Sequence, residues 1–209
     1  MSDPHTPAPE TIRLRRHFHQ HPELGYREEW TSREVAEYLT DLGLSVQTGI
    51  AKTGVVAVLE GARPGKTILL RADMDALPVE ETNDVDYRST CPGVMHACAH
   101  DGHMAVLLSA AKILAGRKDR LSGRVKFVFQ PAEENPGGAL PMIEQGVLEN
   151  PRVDAALALH LAIMMPVGSV GVRPGYVFAS TDEILIAVLG KGGHGAMPHE
   201  TVDPIVCAA

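Results

Sequence analysis

Arg124-Val125-Lys126-Phe127-Val128-Phe129-Gln130 runs directly into Pro131-Ala132-Glu133-Glu134, an apolar stretch that ends on two adjacent acids. The β-branched and aromatic residues predict a buried strand over 124–130, and the proline ends it. Upstream, His103 to Leu114 carries Ala, Val, Leu and Ile around most of its circumference, as a helix packed deep against a sheet requires. Downstream, Gly-Gly-Ala-Leu-Pro-Met-Ile (137–143) predicts a helix of about ten residues. Asp154 to His160 predicts a further apolar strand. Strand and helix alternate, which predicts an α/β fold with a mostly parallel sheet and helices on its faces.

Farther out, Gly54 to Glu60 and Thr67 to Ala72 are two short aliphatic runs joined by Gly-Ala-Arg-Pro-Gly, and they read as a strand pair. Ile12 to Phe18 reads as a helix stopped by His21-Pro22. Glu28 to Leu42 reads as a second helix, ended by Gly43, with Val35, Leu39 and Leu42 on its buried stripe. From Gly168 the texture becomes rich in glycine and proline, followed by a run of β character from Glu183 to Leu189. A domain boundary is expected at 178/179, giving residues 1–178 and 179–209. Asp203-Pro204 is a cap with proline at the first helical position. A helix that short is not stable alone, so the chain is expected to be cut inside its second domain.

At 209 residues and 44% hydrophobic content the chain can bury one good core. A net charge of -7 leaves no basic face, which argues against a nucleic-acid partner. The polar, proline-rich start lacks the apolar run of a secretory signal, and no stretch of about 20 apolar residues is present to span a membrane. Cys91, Cys98 and Cys207 are too few and too scattered for a disulfide framework, which fits a reducing cytoplasm.

Ligands in open α/β sheets sit beyond the carboxyl ends of the strands. Polar groups occupy those places here: Asp73 and Asp75 after one strand, Glu133 and Glu134 after another, His160 closing a third. Between them, His96, Cys98, His100, Asp101 and His103 open the buried helix. Any one of these, taken alone, is more often a structural residue: a buried cysteine is commonly an apolar filler. Two acids at the end of a buried strand are different, because desolvating them is costly without a cation nearby. Sulfur, nitrogen and oxygen donors together suit zinc or a similar divalent metal. Adjacent acids allow one to bind the metal while the other takes a proton from water, which is the chemistry of amide hydrolysis.

Other patterns are weaker. Gly61 to Thr67 falls one residue short of a phosphate loop and leads into a strand where that loop needs a helix. His17, His19 and His21 lie at a helix end, with His17 expected to be solvated. Gly190 to Gly195 is either an anion-binding nest or a glycine-rich turn.

Five motifs, in order, resemble the amidohydrolase branch of the M20 peptidases: Arg-Arg-His-Phe-His-Gln-His-Pro-Glu-Leu-Gly (15–25), Leu-Arg-Ala-Asp-Met-Asp-Ala-Leu-Pro (70–78), Met-His-Ala-Cys-Ala-His-Asp-Gly-His (95–103), Phe-Gln-Pro-Ala-Glu-Glu with the following glycine-rich helix (129–146), and Gly-Lys-Gly-Gly-His-Gly-Ala-Met-Pro-His (190–199). The resemblance implies a three-layer, zinc-peptidase-like catalytic domain with a mixed, mostly parallel sheet, followed by the start of a smaller α+β lid or dimerisation domain. It implies Cys98, His100, Glu134 and His160 as metal ligands, Glu133 as general base and Asp75 as the carboxylate that orients a ligand imidazole. Asp73 has no settled role. His194 is similar to a histidine that reaches into the active site of a partner subunit to hold substrate, so a homodimer is implied. Two divalent ions per site (zinc, manganese, nickel or cobalt) and an N-acyl amino acid substrate, hippurate-like or N-acetylated, follow from the same resemblance. A dipeptidase of the same chemistry and an inactive fragment are the competing readings. Two departures stand out: Ala99 replaces a glycine in the Cys-Gly-His motif, and a further histidine ligand that the family supplies from a later segment is not in this sequence.

Overall fold

The structure, a computed structural model, describes residues 9–179 and 184–209. The chain divides into two compact units, Met1–Gly168 and Ser169–Ala209, and the expected boundary at 178/179 lies inside the second. The first unit contains α1 (Pro9–Gln20), α2 (Glu29–Asp41), β1 (Ser45–Ile50), β2 (Gly54–Glu60), β3 (Arg63–Asp73), α3 (His100–Ala115), β4 (Ser122–Gln130), α4 (Ala139–Glu144) and β5 (Ala155–Ala158).

The strands form a mixed sheet in the order β1-β2-β4-β3-β5. β1 with β2 and β2 with β4 run antiparallel, whereas β4 with β3 and β3 with β5 run parallel. The carboxyl ends of β3, β4 and β5 therefore point the same way. The expected pairing of β2 with β3 is not formed, because β4 lies between them. The link that joins them crosses the start of β4: Gly61 N donates to Gly123 O at 2.9 Å, and Arg63 pairs with Ser122. β1 was not legible in the sequence. It is an edge strand, its burial pattern is largely exposed, and Gly49 interrupts it, so it lacks the alternation of a half-buried strand.

Alternation along β4 builds the two cores. Val125, Phe127 and Phe129 face α1, α2 and α3, where they meet Leu14, Phe18, Leu39, Met104 and Leu108. Val128 faces the other side with Val56, Leu69, Met142 and Val147. Lys126 shares that second face and is 1% exposed. Its ammonium donates to the carbonyls of Val147, Glu149 and Pro151 at 2.8, 2.6 and 2.9 Å, so the segment between α4 and β5 wraps around it. Burial lowers the lysine pKa.

α1, α2 and α3 lie close to the spans read from sequence, with α3 starting at His100 rather than His103. α4 is shorter than expected at 6 residues, and β5 keeps 4 residues of the longer run. Among the described residues no helix is long and apolar enough to cross a membrane.

In the second unit, Lys191 and Val202 exchange two backbone hydrogen bonds, and Asp203 caps the short helix α5 (Pro204–Ala208) by accepting from Ile205 N at 2.9 Å. The strand expected from Glu183 begins outside the described residues. Its described part, Ile184 to Leu189, is not a strand: it has no ladder partner among the described residues, and Ile184, Leu185 and Ile186 are exposed.

Candidate metal centre

The candidate donors stand just beyond the strand ends. Asp73 is the last residue of β3, Glu133 and Glu134 follow β4, and His160 follows β5. Cys98 and His100 flank the first turn of α3, which Ala99 opens with φ of 63°. That left-handed conformation is one a glycine adopts freely and an alanine adopts at a cost of about 1 kcal/mol, so the departure at Ala99 strains the backbone at the mouth of the site. Close approach at the same turn depends on Gly102, where a Cβ would stand 2.5 Å from Leu161 Cδ1.

His100 is the hub. Its Nδ1 donates to the backbone carbonyl of Asp75 at 2.8 Å, which leaves Nε2 as the free acceptor in the neutral ring. That Nε2 is buried without a hydrogen-bond partner. Around it stand Asp73 Oδ2 at 3.7 Å, Glu134 Oε1 at 3.8 Å and Glu133 Oε2 at 3.9 Å. Cys98 Sγ lies 3.4 Å from His160 Nε2, and His160 Nδ1 donates to Leu161 O at 2.7 Å, so that ring also turns its lone pair inward.

Three sets of side chains among the described residues are spaced to hold an ion, and His100 belongs to all of them: Cys98 with His160, Asp73 with His103, and Glu133 with Glu134. A buried imidazole lone pair with no donor, ringed by acids and a thiol, fits a divalent cation. The surrounding acids and burial shift the titrating groups of the site. Burial and the neighbouring Glu134 push the Cys98 thiol up to about 12. Burial alone would depress His100, but the bond to Asp75 and the charge of Asp73 raise it.

Asp75 does two jobs. Its backbone carbonyl accepts from His100 Nδ1, as just described, and its carboxylate Oδ1 lies 3.3 Å from the same nitrogen while the two oxygens accept from Glu133 N at 2.9 Å and Glu134 N at 3.0 Å. Burial would raise its pKa, but the His100 ring and these two amides hold it low.

His103 stood in the motif without a role in the sequence reading. In the structure its Nδ1 donates to Asp73 Oδ1 at 2.6 Å and its Nε2 accepts from Leu161 N at 3.0 Å. It therefore ties the end of β3 to the residue after His160. His19, read as one of a group of helix-end histidines, is instead buried between Asp101 at 2.7 Å and Glu81 at 3.1 Å, with Arg15 completing the pair to Asp101. Helix periodicity carried no signal for those partners, which lie far away in sequence. His17 is not simply solvated: it pairs with Glu34 at 3.0 Å and packs against Trp30. His194 lies in the second unit, where its Nδ1 accepts from Ala196 N at 3.1 Å. Cys91, Cys98 and Cys207 are all free thiols.

Asp73 gives a measurable consequence. Burial would raise its pKa, but the hydrogen bond from His103 and the charge of Arg71 bring it down to about 2. A carboxyl depressed in the folded state contributes stability above its unfolded pKa of about 4 and loses it as pH falls towards 2, roughly 2 kcal/mol in all. Acid titration of unfolding free energy, followed by urea melts without added metal, should show a shallower fall below pH 4 in Asp73→Asn than in the parent. Equal slopes would count against the ion pair.

The sheet and the donors beyond its parallel strand ends define an α/β protein with a candidate metal centre. Residues 69–207 match peptidase family M20/M25/M40, and the chain belongs to that family. Thermostable carboxypeptidase 2 of Saccharolobus solfataricus is 51% identical over 197 residues, which are 93% of this chain and 50% of that protein. N-acyl-L-amino acid amidohydrolase of Geobacillus stearothermophilus is 45% identical over 201 residues, 96% of this chain and 54% of that protein. Among solved structures, the Bacillus subtilis YXEP protein, a dinuclear metal binding peptidase of the M20 family, matches with a TM-score of 0.75 at 39% identity, covering 79% of this chain and 46% of that chain. The chain spans about half the length of the curated relatives it matches.

Proposed function

We propose that this chain carries the acid pair and most of the metal ligands of an enzyme that hydrolyses the amide bond of N-acyl amino acids. The observation that carries the reading is the orphaned, buried Nε2 of His100 facing Glu133 and Glu134 together. Cys98, His100, Glu134 and His160 would hold divalent metal, and the dinuclear solved relative supports two ions. When bound, the metal supplies positive charge that makes water more acidic and polarises the substrate carbonyl.

The chain's own groups divide the remaining work. Glu133, the more exposed of the two acids, accepts the proton from the attacking water and returns it to the leaving amine. Asp75 holds the amides of both acids, so their backbone does not swing when charge develops. An N-acyl amino acid substrate is supported by the amidohydrolase relative, and hippurate-like and N-acetylated amino acids are the cases to test. The carboxypeptidase relative favours a second reading, in which the amide is a peptide bond. A homodimer, with His194 of one copy holding substrate in the other, remains part of the proposal on the strength of the motif at 190–199.

The test is hydrolysis of hippurate, N-acetyl amino acids and dipeptides by this chain and by any longer protein that contains it, with metal content determined in parallel. Chelator should abolish turnover and zinc, manganese, nickel or cobalt should restore it. Undiminished activity after metal removal would overturn the proposal, and a preference for dipeptides would select the second reading.

A further inference from the structure

The motif at 15–25 and the residues just after it are used by none of the chemistry above, yet they are tightly built. Glu23 accepts from Trp30 N, Thr31 N and Thr31 Oγ1 at 3.2, 2.8 and 2.9 Å, satisfying the free amides at the start of α2. The backbone carbonyl of Glu23 accepts from Ala76 N at 2.8 Å, which fastens this turn to the segment that follows β3. Gly25 permits contact with the loop after β4, since a Cβ there would stand 2.8 Å from Asn135 O and 3.1 Å from Ala132.

The turn delivers Glu28, a carboxylate with 0% exposure, into the space beneath that loop. Its Oε1 accepts from Ala132 N at 2.8 Å and its Oε2 from Thr53 Oγ1 at 2.6 Å. Ala132 sits at φ of 47°, a left-handed conformation that an alanine keeps only when its surroundings impose it. The next two amides, of Glu133 and Glu134, go to the two oxygens of Asp75. Three consecutive amides are thus held by two buried carboxylates from different parts of the chain.

We propose that Glu28 is a positioning residue for the acid pair: with Asp75 it clamps the amides of residues 132–134 and sets the direction in which Glu133 and Glu134 leave β4. The inference rests on the reading of Glu133 and Glu134 given above. The Glu28 carboxylate spends its oxygens on Ala132 N and Thr53 Oγ1 rather than on the candidate donors. It acts through the backbone of Ala132. Burial raises its pKa, and the hydrogen bonds from Thr53 and Ala132 oppose that rise.

The experiment compares the chain with Glu28→Asp, Glu28→Gln and Glu28→Ala. The aspartate keeps the charge but is one methylene shorter, so it cannot span both Thr53 and Ala132. The glutamine keeps the length, with an oxygen for Ala132 and an amide that donates to Thr53. Cobalt(II) affinity, the visible cobalt spectrum, far-UV circular dichroism and amide exchange at residues 132–134 are read for each. Glu28→Asp should keep native dichroism while cobalt binding weakens about 10- to 100-fold, the range for partners that orient metal ligands. Its cobalt spectrum should change and the Ala132 amide should exchange at least about tenfold faster. Glu28→Gln should stay close to the parent, and Glu28→Ala, if it folds, should lose most. Parent-like cobalt affinity, spectrum and amide exchange in Glu28→Asp would overturn the proposal. If the parent chain takes up no cobalt, the metal reading falls by itself, and exchange at Ala132 in the parent and the aspartate variant decides the clamp.

Discussion

Glu133→Gln should leave metal stoichiometry unchanged and lower turnover of an N-acyl amino acid by roughly 100- to 10,000-fold, the usual contribution of a positioned acid or base. Glutamine has nearly the shape of glutamate, and the fixed part of this residue is its backbone amide on Asp75 rather than its side chain. The substitution therefore removes the proton acceptor and little else. Glu133 Oε2 stands 3.9 Å from His100 Nε2, close enough to share a cation's surroundings, and its side chain keeps 40% exposure, enough for water and substrate to reach it. The measurement is kcat beside metal content for parent and variant. Turnover within threefold of the parent would remove Glu133 from the role of base.

The second large effect concerns stability rather than chemistry. Lys126→Met should lower the free energy of unfolding by about 3 kcal/mol, read from urea melts with an unchanged slope. Burying an ammonium is itself unfavourable, so desolvation alone would favour an apolar replacement. The carbonyls decide the sign here. Val147, Glu149 and Pro151 all turn their oxygens to Nζ, and methionine leaves them facing a thioether. The bond to the Val147 carbonyl is buried, so that oxygen loses a donor where water does not readily replace it, while the bonds to Glu149 and Pro151 are partly exposed and those oxygens can recover water. A loss below about 1 kcal/mol would mean that the segment rehydrates freely and that Lys126 is not its anchor.

How much of this was legible in the sequence depended on the distance between partners. The helices and the central strands follow from local periodicity, and the donors follow from the rule that sites lie past strand ends. Asp73, Asp75, Glu133, Glu134 and His160 all stand there. The neighbour of β2 is not legible in the sequence, because a short glycine-rich link ordinarily joins paired strands, whereas here it steps over β4. The edge strand β1 buries too little to leave a pattern. The supporting groups were invisible for another reason. Glu28 looks like any acid at a helix start, and only the fold shows that its partner is Ala132. Likewise, nothing local to His103 points to Asp73 and Leu161.

The parallel ladders carry a consequence for the order of assembly. Asp73 pairs with Gln130 and Arg71 with Ala158, so each requires a long stretch of chain to close before it is rewarded. Of the proposed ligands, only Cys98 and His100 are near neighbours along the chain. A newly made chain therefore offers a metal no more than a weak local foothold until the last parallel pairing forms. Metal uptake during refolding would then serve as a clock for that late, non-local step, lagging behind the appearance of helix.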